Sequence, residues 1–238
     1  MARLVKEAEY AIKRNEILDV AQKLMFTRGY EAMSIQDILD ELKISKGAFY
    51  HYFDTKQALL DELVDRMIDE ADQILQPIVE ASDLPAIEKL QRWFNAGSRW
   101  KTDRKQIMLD LLRVWYTDSN ALLHQKQEAA AIKRIAPELV EIVRQGIAEG
   151  VFSTNYPDQI VNIIWGLTQG IYDEVAELLL ADERPPNALP RLEAILNSFS
   201  EAMERILGAP AGSLFLADIE LLKEWVRAPD IRINKEIL

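Results

Sequence analysis

Cysteine is absent from the 238-residue chain, and histidine occurs only twice. The lack of cysteine excludes disulfide bonds, thiolate nucleophiles and cysteine-ligated zinc, and it fits a reducing compartment. Long hydrophobic runs are missing too: the uncharged stretch from Gln159 to Tyr172 has 14 residues, whereas a membrane-spanning helix needs roughly 20. The charged N-terminus has no apolar segment typical of a secretory signal. We therefore expect a cytoplasmic protein that does not enter a membrane.

Sequence motifs of common enzymes are not found. His51 and His124 have no metal-ligand spacing, and there is no HExxH, GxSxG, GxGxxG or P-loop pattern. The polar neighbours of His124 favour a solvated helix position. We expect no catalytic activity, no metal and no cofactor. An enzyme is a rival interpretation, which would require carboxylate-only chemistry in a helical pocket.

Positive charge is scarce and unevenly placed. The chain carries a net charge of −11, from 28 Lys and Arg against 39 Asp and Glu. Residues 1–56 hold nine residues of each sign, so residues 57–238 carry the whole net charge. Phosphate would be repelled by the acidic part but not by the neutral part. A contact with nucleic acid is therefore expected only in residues 1–56.

Helical periodicity dominates and strand alternation is not found, which predicts an all-α fold. A first helix is expected at about 9–28, Ser34 and Ser45 are expected to cap two short helices, and a longer helix from about Thr55 is expected to end before Pro77. The later helices are predicted near 103–116, 119–149, 158–181, 189–207 and 213–227. We expect an N-terminal three-helix helix-turn-helix domain at residues 1–56, and a larger helical ligand-binding and dimerisation domain at residues 57–238. The helix at about 55–75 would link the two.

Residues 45–59, SKGAFYHYFDTKQAL, place four aromatic rings within five positions. On a helical wheel the rings divide between two sides. The core side carries Phe49, Tyr52 and Phe53, and the outer side carries Lys46, Gly47, Tyr50 and His51. The outer side offers hydrogen-bond donors and no acid, as a surface for phosphates and base edges requires. Taken alone, the segment is better explained as a short aromatic core helix.

The two short helices and the turn between them form a helix-turn-helix, whose second helix enters a DNA major groove. With their flanks they resemble the TetR family of bacterial transcriptional regulators, over residues 11–60. The matching motifs are Gly29-Tyr30, Ser34-Ile35-x-x-Ile38, Ser45-x-Gly47, Phe49-Tyr50, Phe53 and Thr55-Lys56. The resemblance implies a dimeric, ligand-responsive repressor. It also implies the DNA-binding residues Ser34, Ser45, Lys46, Gly47, Tyr50, His51, Tyr52 and Lys56.

The body is similar to the family only in outline, but three of its helix faces combine large rings with a few polar groups. Such faces favour a small-molecule pocket, and ordinary core packing is the alternative. The candidate ligand-binding residues are Trp93, Trp100, Met108, Leu112, Trp115, Trp165, Thr168, Gln169 and Tyr172. No Lys or Arg lies on these faces, so a largely apolar effector is expected unless Arg99 or Arg104 turns inward.

Two further faces of the body suit close helix packing. The family builds its dimer from the corresponding helices as a four-helix bundle, and packing within one chain is the alternative. The candidate interface residues are Gly166, Gly170, Leu192, Ile195, Phe199 and Met203. The expected partners are thus a near-palindromic double-stranded operator, a small-molecule effector and a second copy of the chain. A helical DNA-binding adaptor whose body binds a protein is the alternative function.

Overall fold

The computed structural model describes residues 2–28, 30, 32–116, 121–181, 185–216 and 218–226. These residues form ten α-helices and contain no strand, which confirms the all-α prediction. The helices are α1 (Ala2–Arg28), α2 (Ile35–Leu42), α3 (Lys46–Tyr50), α4 (Lys56–Glu80), α5 (Ala86–Asp103), α6 (Lys105–Trp115), α7 (Ala121–Ala148), α8 (Pro157–Leu180), α9 (Ala188–Leu207) and α10 (Ile219–Val226). Within the described ranges, no helix is long and apolar enough to cross a membrane.

The chain divides into two compact units. One consists of Met1–Ile74 and Gln106–Arg134, and the other consists of Leu75–Lys105 and Ile135–Leu238. The domain boundary predicted at residue 56 stays a prediction.

The first unit contains the predicted pair of short helices, and side-chain caps define where each begins. Ser34 and Asp37 form a reciprocal capping box at the start of α2, and the Ser45 hydroxyl accepts the Ala48 N–H at the start of α3. Between them Lys43 adopts a left-handed conformation, with φ of 53°, and its N–H bonds the Leu39 carbonyl. These caps satisfy backbone groups that a short helix leaves unpaired. The turn between the two helices is therefore fixed by hydrogen bonds that lie close in sequence.

The prediction that the fourth helix ends before Pro77 is wrong, because α4 continues to Glu80. Leu75 and Val79 are both buried, so the apolar stripe extends past the proline. The ammonium of Lys89, itself buried, donates to the Val79 carbonyl and satisfies a group at the helix end. Burial and this bond outweigh the local cost of a proline in the last turn.

Residues 213–216 are not helical, although the sequence predicted a helix from 213. The carboxylate of Glu204, in the last turn of α9, accepts the backbone N–H groups of Gly212 and Leu214 at 2.9 and 2.8 Å. The Ser200 hydroxyl accepts the Leu216 N–H at 3.4 Å. These N–H groups are thus bonded to α9 rather than to a helix of their own, and α10 begins only at Ile219.

The last described helix, α10, packs against α5 and α9. The Trp225 indole N–H donates to the Thr102 hydroxyl at 2.8 Å. One helix turn earlier on α5, Arg99 pairs with Asp218 at 3.5 Å. The described residues after Gly208 therefore return along α5 within the second unit.

Candidate nucleic-acid interface

The candidate interface is built on α3, a helix of five residues. A helix this short is not stable alone, and two rings attach it to the core: Phe49 and Phe53 are 0% and 2% exposed. Their centroids lie 5.9 Å apart in a tilted arrangement. This burial fixes which side of α3 faces outward, as the helical wheel predicts.

The outer side of α3 lies on the surface. Tyr50 is 41% exposed, and Lys46, Gly47 and His51 are also exposed. A Cβ added at Gly47 would meet only the Ser45 hydroxyl, at 4.0 Å, so another molecule can approach the backbone there. The side chains thus form the exposed donor surface that the sequence predicts, while their contacts with DNA stay a prediction.

Ser34 caps the start of α2, and Asp37 in turn fixes the Ser34 hydroxyl and backbone N–H. Its hydroxyl lies 2.6 Å from an Asp37 oxygen, and its backbone N–H lies 2.8 Å from the same oxygen. Together these two Ser34 bonds hold the pKa of Asp37 below its usual value. Arg28 pairs with the other Asp37 oxygen at 2.9 Å. A phosphate at this helix start would therefore meet an exposed serine beside a carboxylate that is already paired.

Lys56 is directed into its own chain. Its ammonium donates to the Tyr30 carbonyl at 2.7 Å and lies 4.2 Å from the centre of the Tyr30 ring. The sequence implied a phosphate contact for this lysine. The contact with Tyr30 could not be predicted from local spacing, because the two residues are 26 positions apart. The structure therefore favours a role for Lys56 in holding the helix-turn-helix together.

Tyr52 is half-buried against a residue that sequence reasoning missed. The ring of Tyr10, near the start of α1, lies 4.8 Å from the Tyr52 ring and 5.5 Å from the His51 ring. Its hydroxyl reaches the His51 carbonyl at 3.4 Å. The seven-residue spacing from Tyr10 to Ile17, two helix turns, places both on one face and is the signal that could have revealed it.

The candidate ligand-binding residues fall in both units. Trp93, Trp100, Trp165, Thr168, Gln169 and Tyr172 belong to the second unit, and Met108, Leu112 and Trp115 belong to the first. Trp93 and Trp100 are buried, and the Trp93 N–H donates to Glu138 at 2.8 Å. The Trp100 N–H is buried and has no hydrogen-bond partner within the described ranges. The indole N–H of Trp115, in the first unit, has the same status. A buried donor without a partner is unusual, so both indoles can donate to an acceptor.

Two basic side chains lie beside these rings, and one of them is Arg104, which the sequence named as the exception. The Arg104 guanidinium lies 4.6 Å from the centre of the Trp100 ring. The Lys101 ammonium lies 4.2 Å from the centre of the Tyr172 ring and donates to its hydroxyl. Arg104 caps the C-terminus of α5 four residues after Trp100, so the two share one side of the helix. Lys101 lies on another side of α5, and its long side chain extends to the Tyr172 ring.

In the first unit, Trp115 is half-buried and stacks on His124, with centroids 5.4 Å apart and planes 11° from parallel. His124 is half-buried, with 21% of its side chain exposed, and its Nε2 lies 3.3 Å from a Glu128 oxygen. No group of three or more His, Cys, Asp or Glu in the described part of the chain could hold a metal ion.

The candidate dimer residues separate into buried and exposed sets. Leu192, Phe199 and Met203 are 1%, 6% and 0% exposed, so their burial within one chain favours the packing alternative. Gly166 and Gly170 of α8 are exposed, and an added Cβ at either would meet nothing within 4 Å. The exposed apolar residues beside them are Ile163 and Leu167, with Ile195 of α9 half-buried.

Comparison with known proteins matches both the helix-turn-helix and part of the body. The family model for bacterial regulatory proteins of the TetR family matches residues 17–63, and a model for a tetracyclin repressor-like C-terminal domain matches residues 110–180. The HTH-type transcriptional repressor KstR2 of Mycobacterium tuberculosis is 28% identical over 158 residues, which cover 64% of this chain and 74% of that protein. The HTH-type transcriptional regulator EthR of Mycolicibacterium smegmatis is 29% identical over 140 residues, covering 52% and 64%.

A crystal structure of a TetR-family regulator from Pectobacterium atrosepticum has the same fold. It aligns with a TM-score of 0.64 at 20% identity, covering 85% of this chain and 98% of that one. The relatives described above are named as transcriptional repressors or regulators, which answers the enzyme interpretation. The capped helix-turn-helix, the exposed face of α3 and these matches lead to one identification: the chain belongs to the TetR family of bacterial transcriptional regulators and is a DNA-binding regulator, not an enzyme.

Proposed function

We propose that the protein is a dimeric repressor that binds a near-palindromic operator through α3 and releases it when a small molecule binds the body. The observation that carries this proposal is the exposed donor surface of α3, held outward by the buried Phe49 and Phe53. The repressor role rests on relatives such as KstR2, which is named as a transcriptional repressor. A regulator of bacterial DNA would act in the cytoplasm, so the predicted location belongs to the same proposal.

Operator recognition would use two kinds of contact on the same surface. Lys46 offers a positive charge to phosphate. Tyr50 and His51 offer hydrogen-bonding groups and ring edges to the bases. The Gly47 backbone allows the close approach that both contacts need.

Tyr50→Ala tests the DNA surface, with Tyr156→Ala as a matched control because Tyr156 is 69% exposed just before α8. The operator would first be selected from a random duplex library with the wild-type protein. Loss of a base contact should lower affinity by about 1–3 kcal/mol, roughly tenfold or more. Fluorescence anisotropy measures this directly, and equal affinity for Tyr50→Ala and Tyr156→Ala would refute the assignment of the α3 face.

Dimerisation would use the exposed face of α8. Ile163 is 53% exposed and Leu167 is 37% exposed, with Gly166 and Gly170 allowing close helix approach. Leu167→Asp should produce monomers, because a charge buried at an apolar interface is costly. Light scattering would compare it with Ile12→Asp, a substitution at the exposed surface of α1. A stable dimer in Leu167→Asp would place the interface elsewhere.

The effector would be largely aromatic or apolar and would carry one hydrogen-bond acceptor. The buried Trp93 and Trp100 rings supply apolar area, and the Trp100 N–H supplies a donor that lacks a partner among the described residues. The nearby Arg104 guanidinium makes a carboxylate acceptable as that acceptor. The polarity expected here is therefore greater than the sequence alone predicts.

Ligand and operator binding must be linked if the protein is a switch. A ligand that lowers operator affinity by some factor must itself bind more weakly, by the same factor, when operator is present. Screening aromatic carboxylates by thermal shift would supply a candidate, and calorimetric titration with and without operator would measure the coupling. Equal ligand affinity in both titrations would show that the ligand site does not control DNA binding.

A further inference from the structure

Tyr10 of α1 contacts the residues that follow the recognition helix, although it lies 41 positions away from His51. Its hydroxyl donates to the His51 carbonyl at 3.4 Å. Its ring meets the His51 imidazole edge-on, with centroids 5.5 Å apart, and lies tilted 4.8 Å from the Tyr52 ring. Tyr10 is 38% exposed, so it lies on the surface beside the proposed DNA-binding side chains rather than in the core.

These contacts meet a need created by the shortness of α3. The helix ends at Tyr50, and His51 follows it as a C-terminal cap whose N–H bonds the carbonyls of Gly47 and Phe49. Backbone bonds fix the His51 main chain, but an exposed side chain keeps several rotamers unless neighbours restrict it. The rings of Tyr10 and Tyr52 both contact the His51 ring and restrict its rotamers. Tyr52 meets it edge-on, with centroids 5.0 Å apart.

A second contact from α1 supports the same stretch one helix turn further along. The Arg14 guanidinium lies 4.7 Å from the centre of the Phe53 ring and pairs with Glu62 of α4. Helical spacing puts Tyr10 and Arg14 on one face of α1. This face of α1 therefore contacts both ends of residues 51–53. Arg14 contacts the buried Phe53 ring, and Tyr10 contacts the His51 and Tyr52 rings.

We propose that Tyr10 is a positioning residue for operator recognition, which sets the orientation of the His51 and Tyr52 side chains. The inference rests on the proposed DNA-binding function and adds a residue outside the helix-turn-helix to it. Holding the side chains before binding lowers the entropy lost when they meet the bases. Tyr10 should thus strengthen binding to the correct sequence more than binding to DNA in general.

A purely structural role for Tyr10 makes a different prediction. If the ring only stabilised the fold, its removal would weaken binding to every duplex in proportion to the fraction of unfolded protein. If it positions His51, removal should reduce discrimination between sequences while the phosphate contacts, and hence the salt dependence, stay the same. Specificity is therefore the measurement that separates the two roles.

The experiment compares full-length wild type, Tyr10→Ala, Tyr10→Phe and the control Ile12→Ala, which alters a 59%-exposed side chain on the same helix. The probes are a duplex selected from a random library with wild-type protein and a scrambled duplex of equal length, titrated over a salt series. We expect Tyr10→Ala to lower affinity for the selected duplex about tenfold, because two ring contacts are lost. Affinity for the scrambled duplex and the salt slope should be unchanged. Tyr10→Phe keeps both ring contacts and should stay within about threefold.

A double-mutant cycle with His51→Ala tests whether Tyr10 acts through that side chain. In the His51→Ala background, Tyr10→Ala should cause a much smaller further loss of affinity than it does in wild type. Circular dichroism confirms folding, and Tyr10→Phe keeps the test valid if Tyr10→Ala does not fold: a large loss of affinity in Tyr10→Phe would then overturn the ring-based account.

Three other outcomes would also overturn the inference. These outcomes are binding of Tyr10→Ala to both duplexes with wild-type affinity, an equal loss of affinity for both duplexes, and a loss that is additive with that of His51→Ala. Failure of the DNA-binding proposal would look different, since Tyr50→Ala and His51→Ala would themselves leave binding unchanged or the library would yield no selected duplex. That last result would overturn both proposals.

Discussion

Substitution of Lys56 tests whether this lysine stabilises the fold, as the structure indicates, or binds DNA phosphate, as the family resemblance implied. Its ammonium donates to the Tyr30 carbonyl at 2.7 Å and lies 4.2 Å from the Tyr30 ring centre. A hydrogen bond from a charged group contributes about 1.5–3 kcal/mol, and an exposed cation–π contact adds about 0.5–1 kcal/mol. Because Lys56 is half-buried, solvent weakens both, and we expect Lys56→Met to lower the free energy of unfolding by about 2 kcal/mol. Methionine keeps the apolar stem and removes only the charge and the donor.

Lys46→Met is the matched control. Lys46 is exposed, and its ammonium lies 5.9 Å from the centre of the Tyr50 ring. Its replacement should leave stability within about 0.5 kcal/mol. If Lys46 contacts a phosphate, Lys46→Met should reduce the salt slope of operator binding by about 1 for each DNA-binding domain of the dimer.

Urea unfolding followed by circular dichroism, together with operator titrations over a salt series, distinguishes the two lysines. The reasoning would be refuted by the reverse pattern, in which Lys56→Met unfolds like wild type but reduces the salt slope. That result would mean that Lys56 leaves Tyr30 and binds phosphate, as the sequence implied.

Three further changes test packing and charge. Phe49→Ala removes a ring with no exposed surface and should cost about 3–5 kcal/mol, with loss of operator binding, measured by circular dichroism and anisotropy. Gly146→Ala would place a Cβ 2.0 Å from the buried Phe152 ring and should lower the thermal midpoint, whereas Gly97→Ala, with open space beside it, should not. Bonds from the Leu214 and Gly212 N–H groups lower the pKa of Glu204 from its usual 4.5, so its contribution to stability is present above that value and is lost as the pH falls through the lowered pKa. Glu204→Gln should remove that part of the acid sensitivity, as urea midpoints over about pH 3 to 6 would show.

The sequence predicts the helix-turn-helix well because the interactions that define it are short. The capping box joins Ser34 to Asp37, three residues apart, and Ser45 caps α3 through Ala48. Such pairs can be recognised from spacing alone. The burial of Phe49 is predicted by a helical wheel, which also uses only the spacing of nearby residues.

The contacts that the sequence does not predict join distant residues. Tyr10 meets His51 across 41 positions, and Glu204 accepts N–H groups from a segment with no recognisable motif. Pro77 is expected from the sequence to end α4, but burial of Val79 after the proline compensates for its cost. Whether such burial occurs depends on tertiary packing, which local sequence does not show. Lys101 reaches the Tyr172 ring of α8 through a flexible side chain whose direction a helical wheel does not define.

The charges of the N-terminal helices determine what kind of DNA binding this protein can achieve. Between residues 8 and 56 the basic side chains with partners in the structure are Lys13 with Glu16, Arg14 with Glu62, Lys23 with Glu41, Arg28 with Asp37 and Lys56 with the Tyr30 carbonyl. Lys43 and Lys46 are exposed, and among the described residues neither forms an ion pair. Two such cations in each head of a dimer would displace counterions from about four phosphates, giving a salt slope of roughly −4. Because this electrostatic contribution is small and the body is acidic, nonspecific binding should be weak. We therefore expect the operator to be recognised mainly through base contacts, so that substitutions at Tyr50 and His51 reduce specific binding more than substitutions that remove a single positive charge.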